Sequence, residues 1–118
     1  LRRDSRGDSG LSAKFFDDLT INYSKRQVSY QNQVIPFTKK EFDIVELLTR
    51  NPGQVFDKER IYEVIWGYDS EGNSSIIVEH MRRIRKKFME YTEKTYIETV
   101  WGIGYKWENK KQFIKIFL

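Results

Sequence analysis

The sequence predicts an α+β fold with an N-terminal four-stranded antiparallel sheet, three helices and a C-terminal β-hairpin. Two features of the pattern carry this prediction. Between residues 15 and 37, apolar and polar residues alternate as they do in strands with one buried face. From residue 38 the apolar residues recur at helical spacing, and a strand-like pattern returns at residue 96. The length of 118 residues suits a single core.

The first patterned segment is predicted to form a meander of short strands. Its turns are expected at residues 24–25 and 31–32, where polar residues interrupt the alternation. Residues 1–14 are polar and rich in Arg, Ser and Gly, and we interpret them as a linker or tail. The alternating apolar residues of the meander are Leu19, Ile21, Tyr23, Val28, Tyr30, Val34 and Phe37.

The first helix is predicted from its start and stop signals. Thr38 and Glu41 form a capping-box pattern, in which each side chain accepts a hydrogen bond from the backbone amide of the other residue. Phe37 and Phe42 flank the cap at the spacing of a hydrophobic staple. The helix is expected to end at residues 51–53, which read Asn-Pro-Gly.

The second helix is predicted to follow a short extended link. Asp57 is a good N-cap residue because its carboxylate can accept from the free amides of the first turn. Ile61, Val64 and Ile65 are the expected apolar residues of this helix, and Gly67 is expected to end it.

The third helix is predicted over residues 74–90. At 100° per residue, Ile77, Met81, Ile84 and Phe88 fall on one narrow stripe, which we interpret as its core face. The chain carries a formal net charge of +4, and residues 82–87 hold five basic groups with no acid among them. The residues on the opposite face are Ser75, Glu79, Arg82, Arg83 and Lys86, with His80 and Arg85 flanking it.

The basic face of this helix allows three interpretations. A run of charge is often only a solvated surface. A helix lying on a membrane surface is disfavoured because the core uses the whole narrow apolar stripe. Binding to nucleic acid is favoured by context, since a capped helix and a loop precede this helix in the order of a helix-turn-helix. Two strands over 96–100 and 104–107 follow it as a hairpin wing.

The composition argues against an enzyme. The chain has one histidine and no cysteine, which leaves no thiol nucleophile and no zinc–thiolate site. Gly102-Ile103-Gly104 is too short for a phosphate-binding loop and lies in a hairpin. Asp69 and Glu71 could hold a cation weakly, but loop acids are usually just solvated. We expect no catalytic residue, no metal and no cofactor, and a cytoplasmic location agrees with the absence of cysteine.

Three segments of the chain carry a resemblance to a known family. PFTKKEFDIVELLTRNPGQVFDKERIYEVIWG, IIVEHMRRIRKKF and YIETVWGIGYKW resemble the winged helix-turn-helix DNA-binding domain of bacterial two-component response regulators of the OmpR/PhoB class. The resemblance covers residues 16–107 and implies domain boundaries. Residues 1–14 would be an interdomain linker, 15–108 the DNA-binding domain and 109–118 a C-terminal extension. Leu1-Arg2-Arg3 resembles the end of the receiver domain that precedes this domain in the family.

The resemblance implies that the third helix enters the major groove and that the wing, residues 100–105, touches the minor groove or the backbone. Arg83 falls on the family's main base-reading Arg, and two hydrogen bonds from Arg to guanine give about 1–3 kcal/mol of discrimination. The other base-reading candidates are Glu79 and Arg82. The phosphate-binding candidates are Ser75, His80, Arg85 and Lys86. Two of these have alternatives, because Arg85 can pair with an acid and His80 can serve as a structural hydrogen-bonding group.

The resemblance also assigns the loops. The wing residues are Trp101, Gly102, Ile103, Gly104, Tyr105 and Lys106. The loop between the second and third helices would face RNA polymerase, and its residues are Tyr68, Asp69, Ser70, Glu71, Gly72 and Asn73.

Two residues depart from the family pattern. Glu79 stands where the family usually has a small apolar residue, and it can either accept from cytosine N4 or pair within the helix with Arg82 or Arg83, which we favour. Trp101 stands where the family often has an Arg that reaches into the minor groove. We expect the ring to pack under the wing, and Lys106 or Lys94 to supply a backbone contact.

The resemblance also implies partners. These are double-stranded DNA with tandem direct-repeat half-sites, RNA polymerase, and a sensor histidine kinase acting through a receiver domain. The isolated domain would be monomeric, and the full-length protein would dimerise when phosphorylated. The alternative is a winged-helix module for protein interaction with only non-specific affinity for DNA.

Overall fold

A computed structural model describes residues 12–67 and 72–108 and confirms the predicted order of elements. The expected extension at 109–118 lies outside the described residues, as do residues 1–11 of the expected linker. The elements are β1 (Ala13–Phe16), β2 (Leu19–Asn22), β3 (Gln27–Tyr30), β4 (Gln33–Ile35), α1 (Lys39–Arg50), α2 (Lys58–Trp66), α3 (Ser75–Met89), β5 (Ile97–Val100) and β6 (Gly104–Trp107).

The first strand begins two residues before the expected start of the domain at residue 15. Ala13 pairs with Asn22, and Lys14 pairs with Ile21, so both belong to the sheet. The Lys14 ammonium also donates to the Thr49 carbonyl of α1 at 3.0 Å. The alternation of apolar residues did not predict that Ala13 and Lys14 belong to the strand. Both residues join the sheet through backbone hydrogen bonds, and neither adds a large apolar side chain to the pattern.

The four N-terminal strands form one antiparallel sheet in the order β1-β2-β3-β4. The turn at residues 31–32 is confirmed, and both of its residues have positive φ, 50° and 70°, as a tight hairpin turn requires. This two-residue turn pairs Val28 with Ile35. Ile35 is therefore 1% exposed, whereas Val34 is 49% exposed. The expectation that Val34 is an inward residue was wrong because the turn sets the opposite register.

Helices α1 and α2 begin where their capping residues predict. The Thr38 hydroxyl accepts from the Glu41 amide, and the Glu41 carboxylate accepts from the Thr38 amide. The Asp57 carboxylate accepts from the amide of residue 60, and Gly67, with φ of 90°, ends α2. The capping box, the second N-cap and the helix stop are thereby confirmed. Phe37 packs edge-on against the ring of Phe88 in α3, with 5.3 Å between ring centroids.

One predicted residue of α2 does not face the core. Val64 is 46% exposed, while Ile61 and Tyr62 are buried. Tyr62 and Ile65 lie on one side of Ile61 around the helix, and Val64 lies on the other side. The core is on the Tyr62 side, where the Tyr62 ring stacks on Trp66 at 5.2 Å.

The predicted core stripe of α3 is confirmed, since its buried residues are Ile77, Met81, Ile84 and Phe88. Trp107 of β6 is fully buried beside this stripe. Its ring lies 5.3 Å from that of Tyr96 and 5.2 Å from that of Phe16. This aromatic cluster joins the N-terminal sheet, α3 and the C-terminal hairpin, so the hairpin is part of the core at its base.

The hairpin of β5 and β6 is also tied to the link between α1 and α2. The Phe56 amide donates to the Tyr105 carbonyl at 2.8 Å, and the Tyr105 amide donates to the Phe56 carbonyl at 2.9 Å. Gly104 allows this approach, because a Cβ atom there would lie 2.2 Å from the Phe56 carbonyl oxygen. The wing is therefore held from two sides, by its own pairing and by residue 56.

A buried ion pair joins the start of α1 to the end of α3. Glu41 is 2% exposed, and its carboxylate accepts from the Lys87 ammonium at 2.5 Å. Lys87 also donates to the Pro36 carbonyl at 2.9 Å. Burial raises the pKa of Glu41, but the hydrogen bonds from Lys87 and the Thr38 amide outweigh it and hold the pKa below its ordinary value of 4.5.

No helix in the described ranges is long and apolar enough to cross a membrane.

We predict that Glu41→Gln destabilises the domain in a pH-dependent way. At pH 7 the variant should lose about 1–3 kcal/mol of unfolding free energy, because the Lys87 ammonium loses its charged partner. A carboxylate with a depressed folded pKa stabilises fully above its unfolded pKa, and loses this effect as the pH falls through the folded pKa. The difference from wild type should therefore shrink below about pH 4. Urea unfolding at pH 7 and at acid pH measures it.

The matched control is Glu46→Gln on the same helix. Glu46 pairs with Arg50 at 2.9 Å, and both side chains are about one third exposed. Surface pairs of this kind contribute roughly 0–1 kcal/mol. Equal stability of wild type and Glu41→Gln at pH 7 would contradict the structural role of the buried pair.

Candidate nucleic-acid interface

The exposed face of α3 carries a cluster of one acid and two arginines. Glu79 Oε2 accepts from Arg82 Nη2 at 2.6 Å and from Arg83 Nε at 3.1 Å, while Arg82 Nε donates to Oε1 at 3.2 Å. The hydrogen bond from Arg82 is the main cause that lowers the pKa of Glu79, which therefore stays ionised. The predicted pair within the helix is confirmed, and the contact to cytosine stays a prediction.

The two arginines of this cluster are held differently. Arg82 engages Glu79 through Nε and Nη2, whereas the contact of Arg83 uses Nε. The side chains of Arg82 and Arg83 are 63% and 53% exposed. Glu79 thus orients both guanidinium groups on the outer face. Arg83 has its terminal Nη groups outside this contact, and these are the donors that a guanine edge needs.

Arg85 connects α3 to the wing. Its Nη2 donates to the Ile97 carbonyl at 3.1 Å and to the Thr99 hydroxyl at 2.7 Å, both on β5. Its guanidinium also lies 5.6 Å from the centroid of the Tyr105 ring on β6. The alternative in which Arg85 pairs with an acid was wrong among the described residues, because its partners are a carbonyl, a hydroxyl and a ring. Its phosphate contact stays a prediction.

His80 packs between α3 and α2. Its Nδ1 lies 3.0 Å from the Ile76 carbonyl, and its ring meets that of Trp66 edge-on at 5.2 Å. A carbonyl only accepts hydrogen bonds, so Nδ1 carries the proton. This contact leaves Nε2 as the ring nitrogen that is open to another partner. The structural alternative for His80 is supported, and its phosphate contact stays a prediction.

The N-terminus of α3 is organised by Asn73. Its side-chain Oδ1 accepts from the Ser75 amide at 2.9 Å and from the Ser75 hydroxyl at 2.5 Å. The Ser74 hydroxyl donates to Glu59 of α2 at 3.2 Å. Ser75, a candidate for phosphate binding, is exposed but already donates to Asn73. Of the loop expected to face RNA polymerase, residues 68–71 lie outside the described residues, and Gly72 packs near the Tyr62 hydroxyl.

The wing tip consists of residues 101–103. Gly102 has φ of 79°, which glycine adopts without strain. Trp101 is 89% exposed and Ile103 is 61% exposed. The expectation that Trp101 packs under the wing was wrong, because Trp101 lies in the exposed turn beyond the last paired residues of the hairpin, Val100 and Gly104. Of the cations expected to replace the missing Arg, Lys106 pairs with Glu108 at 3.5 Å and Lys94 with Asp17 at 3.6 Å.

An open groove separates the wing from the helices. It has a volume of about 370 Å³, and Lys58 of α2, Val78 of α3, and Val100 and Ile103 of the wing contribute to its walls. Lys86 is exposed beside Arg82 and Arg83. The structure therefore brings together the predicted base-reading residues and Lys86 on one face of α3, with the wing alongside.

Sequence reasoning missed the inward role of Lys87. It was counted among the basic groups of residues 82–87, but it reaches the buried carboxylate of Glu41. A signal was available, since Lys87 follows Ile84 by three residues and adjoins Phe88, so it lies at the edge of the core stripe.

Comparisons with known proteins agree with this geometry. The family model described as transcriptional regulatory protein, C terminal, matches residues 32–107. The chain is 38% identical over 108 residues to the transcriptional regulatory protein SpaR of Bacillus subtilis, covering 92% of this chain and 48% of SpaR. It is 38% identical over 92 residues to the heme response regulator HssR of Staphylococcus aureus, covering 78% of this chain and 41% of HssR. The chain thus spans about half or less of these relatives.

Solved structures give the same result. The Klebsiella pneumoniae RstA DNA-binding domain in complex with the RstA box matches with a TM-score of 0.73 and 26% identity, over 85% of this chain and 100% of that one. The response regulator DrrB of Thermotoga maritima, an OmpR/PhoB homologue, matches with a TM-score of 0.73 and 30% identity, over 82% of this chain and 44% of DrrB.

We predict that Arg85→Met loosens the wing without unfolding the domain. The variant keeps the apolar stem but loses both hydrogen bonds to β5, so amide hydrogen exchange in residues 97–107 should accelerate by about 5- to 100-fold. Exchange in α1 should change much less. Nuclear magnetic resonance resolves the two regions, and Lys86→Met is the matched control on the exposed face. If amide exchange in the wing of Arg85→Met is unchanged, the two hydrogen bonds from Arg85 to β5 do not hold the wing in place.

Proposed function

The chain belongs to the family of C-terminal domains of transcriptional regulatory proteins, and we propose that it is the double-stranded DNA-binding output domain of an OmpR/PhoB-class response regulator. The observation that carries the proposal is the outer face of α3. Four apolar residues fix this helix to the core, while Arg82, Arg83 and Lys86 remain exposed on the other side. The relative RstA, whose domain has the same fold, is in complex with its DNA box.

We propose that Arg83 reads bases from the major groove, with Arg82 and Glu79 beside it. Bidentate hydrogen bonds to guanine O6 and N7 need two donors on one guanidinium, and Arg83 has them outside its contact with Glu79. Glu79 either stays paired or accepts from cytosine N4. In both cases the Glu79 carboxylate repels a phosphate that approaches it directly, which favours base edges over backbone at this position.

Lys86 is the proposed phosphate contact of α3. A phosphate contact holds the domain in register on the duplex but carries no sequence information. Ser75, His80 and Arg85 are secondary candidates, because each already makes an intramolecular hydrogen bond. Arg85 contributes mainly by fixing the wing relative to α3.

The domain boundaries and partners that we propose are those of the family. We propose that residues 1–14 include an interdomain linker, that 15–108, extended by the first residues of β1, form the DNA-binding domain, and that 109–118 are an extension. A receiver domain phosphorylated by a sensor histidine kinase would dimerise and bring two output domains to tandem direct-repeat half-sites in the cytoplasm. The gain in affinity then comes from effective concentration and not from new base contacts. Residues 68–73 would face RNA polymerase.

Single substitutions separate base reading from phosphate binding. Arg83→Ala should weaken binding to the preferred duplex by about 5- to 150-fold, with a much smaller effect on scrambled DNA. Lys86→Ala should weaken both duplexes alike and reduce the slope of log K against log salt by about 0.9. Fluorescence anisotropy with both duplexes at several salt concentrations measures this. If both variants lose preferred and scrambled DNA equally, the assigned roles are wrong.

A further inference from the structure

Helix α3 carries a single acid among its cations. In Ser75–Met89 the acidic residue is Glu79, whereas Arg and Lys supply five cations between residues 82 and 87. A carboxylate on this face opposes binding to a polyanion, because it repels each phosphate that approaches it. What this charge does to DNA binding depends on which of the neighbouring cations it holds.

Glu79 holds Arg82 more completely than it holds Arg83. Arg82 donates to the carboxylate from both Nε and Nη2, at 3.2 and 2.6 Å, so one two-donor edge of its guanidinium is occupied. A phosphate binds Arg through a two-donor edge of the same kind. Arg83 donates from Nε at 3.1 Å, and its terminal donors lie outside this contact. The carboxylate therefore neutralises Arg82 in the first place and leaves Arg83 able to reach a base edge.

We propose that Glu79 keeps Arg82 from acting as a general phosphate contact, and that Glu79 thereby raises the sequence specificity of α3 by lowering its affinity for DNA of any sequence. The inference rests on the proposed function and deepens it, since it names a residue that sets the ratio of preferred to scrambled binding. Specificity is a difference between two affinities, and a charge that penalises the unwanted partner increases this difference.

The penalty falls unequally on preferred and scrambled DNA. Non-specific binding comes almost entirely from cations placed against phosphates, so withdrawal of one cation removes a large share of it. Binding to a preferred site also draws on base contacts, for which Arg83 keeps its terminal donors. Without Glu79, α3 would present Arg82, Arg83 and Lys86 as three uncompensated cations within five residues. Such a surface binds any duplex.

Two other roles for Glu79 lead to different results. If Glu79 only stabilises the helix, as pairs at this spacing do, its removal changes stability and leaves DNA binding as it was. If Glu79 instead reads a cytosine, its removal weakens binding to the preferred duplex and leaves the scrambled duplex unchanged. The proposed role gives a third result, in which the scrambled duplex gains affinity.

Glu79→Gln tests the inference, because glutamine keeps the size of the side chain and removes its charge. Affinity for the scrambled duplex should rise by about 3- to 10-fold at low salt, and the slope of log K against log salt should grow by about 0.9, as for one added phosphate contact. Affinity for the preferred duplex should rise by a smaller factor, so the ratio of preferred to scrambled binding falls. Fluorescence anisotropy at several salt concentrations measures both duplexes.

Glu46→Gln serves as the control for net charge. Glu46 pairs with Arg50 at 2.9 Å on α1, at the same spacing of four residues that separates Glu79 from Arg83. The control removes one negative charge from a helix that the proposed function does not place against DNA. Its affinity for scrambled DNA and its salt slope should stay close to those of wild type.

The Arg82→Ala background identifies the cation through which Glu79 acts. In this background Glu79→Gln should give little of the gain in scrambled binding, because the cation that it would release is absent. An equal gain in both backgrounds would overturn the inference, since the carboxylate would then act by its own charge and not through Arg82. Urea unfolding shows that each variant is folded under the conditions of the binding measurement.

The remaining outcomes also decide between the alternatives. If Glu79→Gln binds scrambled DNA with the affinity and the salt slope of wild type, or if Glu46→Gln gains as much, Glu79 does not withhold Arg82 from phosphate. Failure of the wild-type chain to bind either duplex at low salt would contradict the proposed function itself.

Discussion

The carboxylate of Glu41 is the contact on which the arrangement of the helices depends. One oxygen accepts from the Thr38 amide at 2.9 Å, which starts α1, and from the Lys87 ammonium at 2.5 Å, which fixes the end of α3. Lys87 in turn donates to Pro36, just before the cap. Because the group is 2% exposed, loss of either partner leaves a charge with little access to water. The position of the outer face of α3 is a consequence of this contact and of the apolar stripe.

The five basic residues between 82 and 87 serve different purposes because they point in different directions around one helix. Lys87 is directed to the core, and Arg85 is directed along the protein surface to the wing. Arg82 and Arg83 lie on the outer face and are oriented by Glu79, and Lys86 is exposed. A count of charge in the sequence overstates the number of free cations. The geometry leaves three of the five exposed on the face that the proposed function places against DNA.

The sequence predicted those features that depend on neighbours along the chain. Three of these features are confirmed: the capping box at Thr38, the core stripe of α3 and the pair of Glu79 with its arginines. Each depends on residues that follow one another at a spacing of three or four positions. The inward direction of Val34 and the burial of Trp101 were wrong because each depends on register or on a distant partner. Val34 faces outward because the turn at 31–32 sets the pairing with β3.

The pattern of apolar and polar residues did not predict contacts between residues that are far apart in the sequence. Arg85 bonds to Ile97 and Thr99, which lie 12 and 14 positions further along the chain. Gly104 lies close to Phe56, which is even further away in the sequence. Neither contact leaves a periodic signal, since the first depends on how the hairpin packs against α3 and the second on how it packs against the link between α1 and α2. These contacts decide where the wing stands relative to the helix, and so they determine the shape of the proposed interface.

In the proposed function the exposed face of α3 reads base sequence. Selection of bound duplexes from a random pool by the purified chain measures whether it does. We predict a recovered motif with a guanine that Arg83→Ala no longer selects, and with half-sites arranged as direct repeats when two domains bind together. Tight binding of the pool without any preferred sequence would contradict it, because α3 would then supply charge without reading bases.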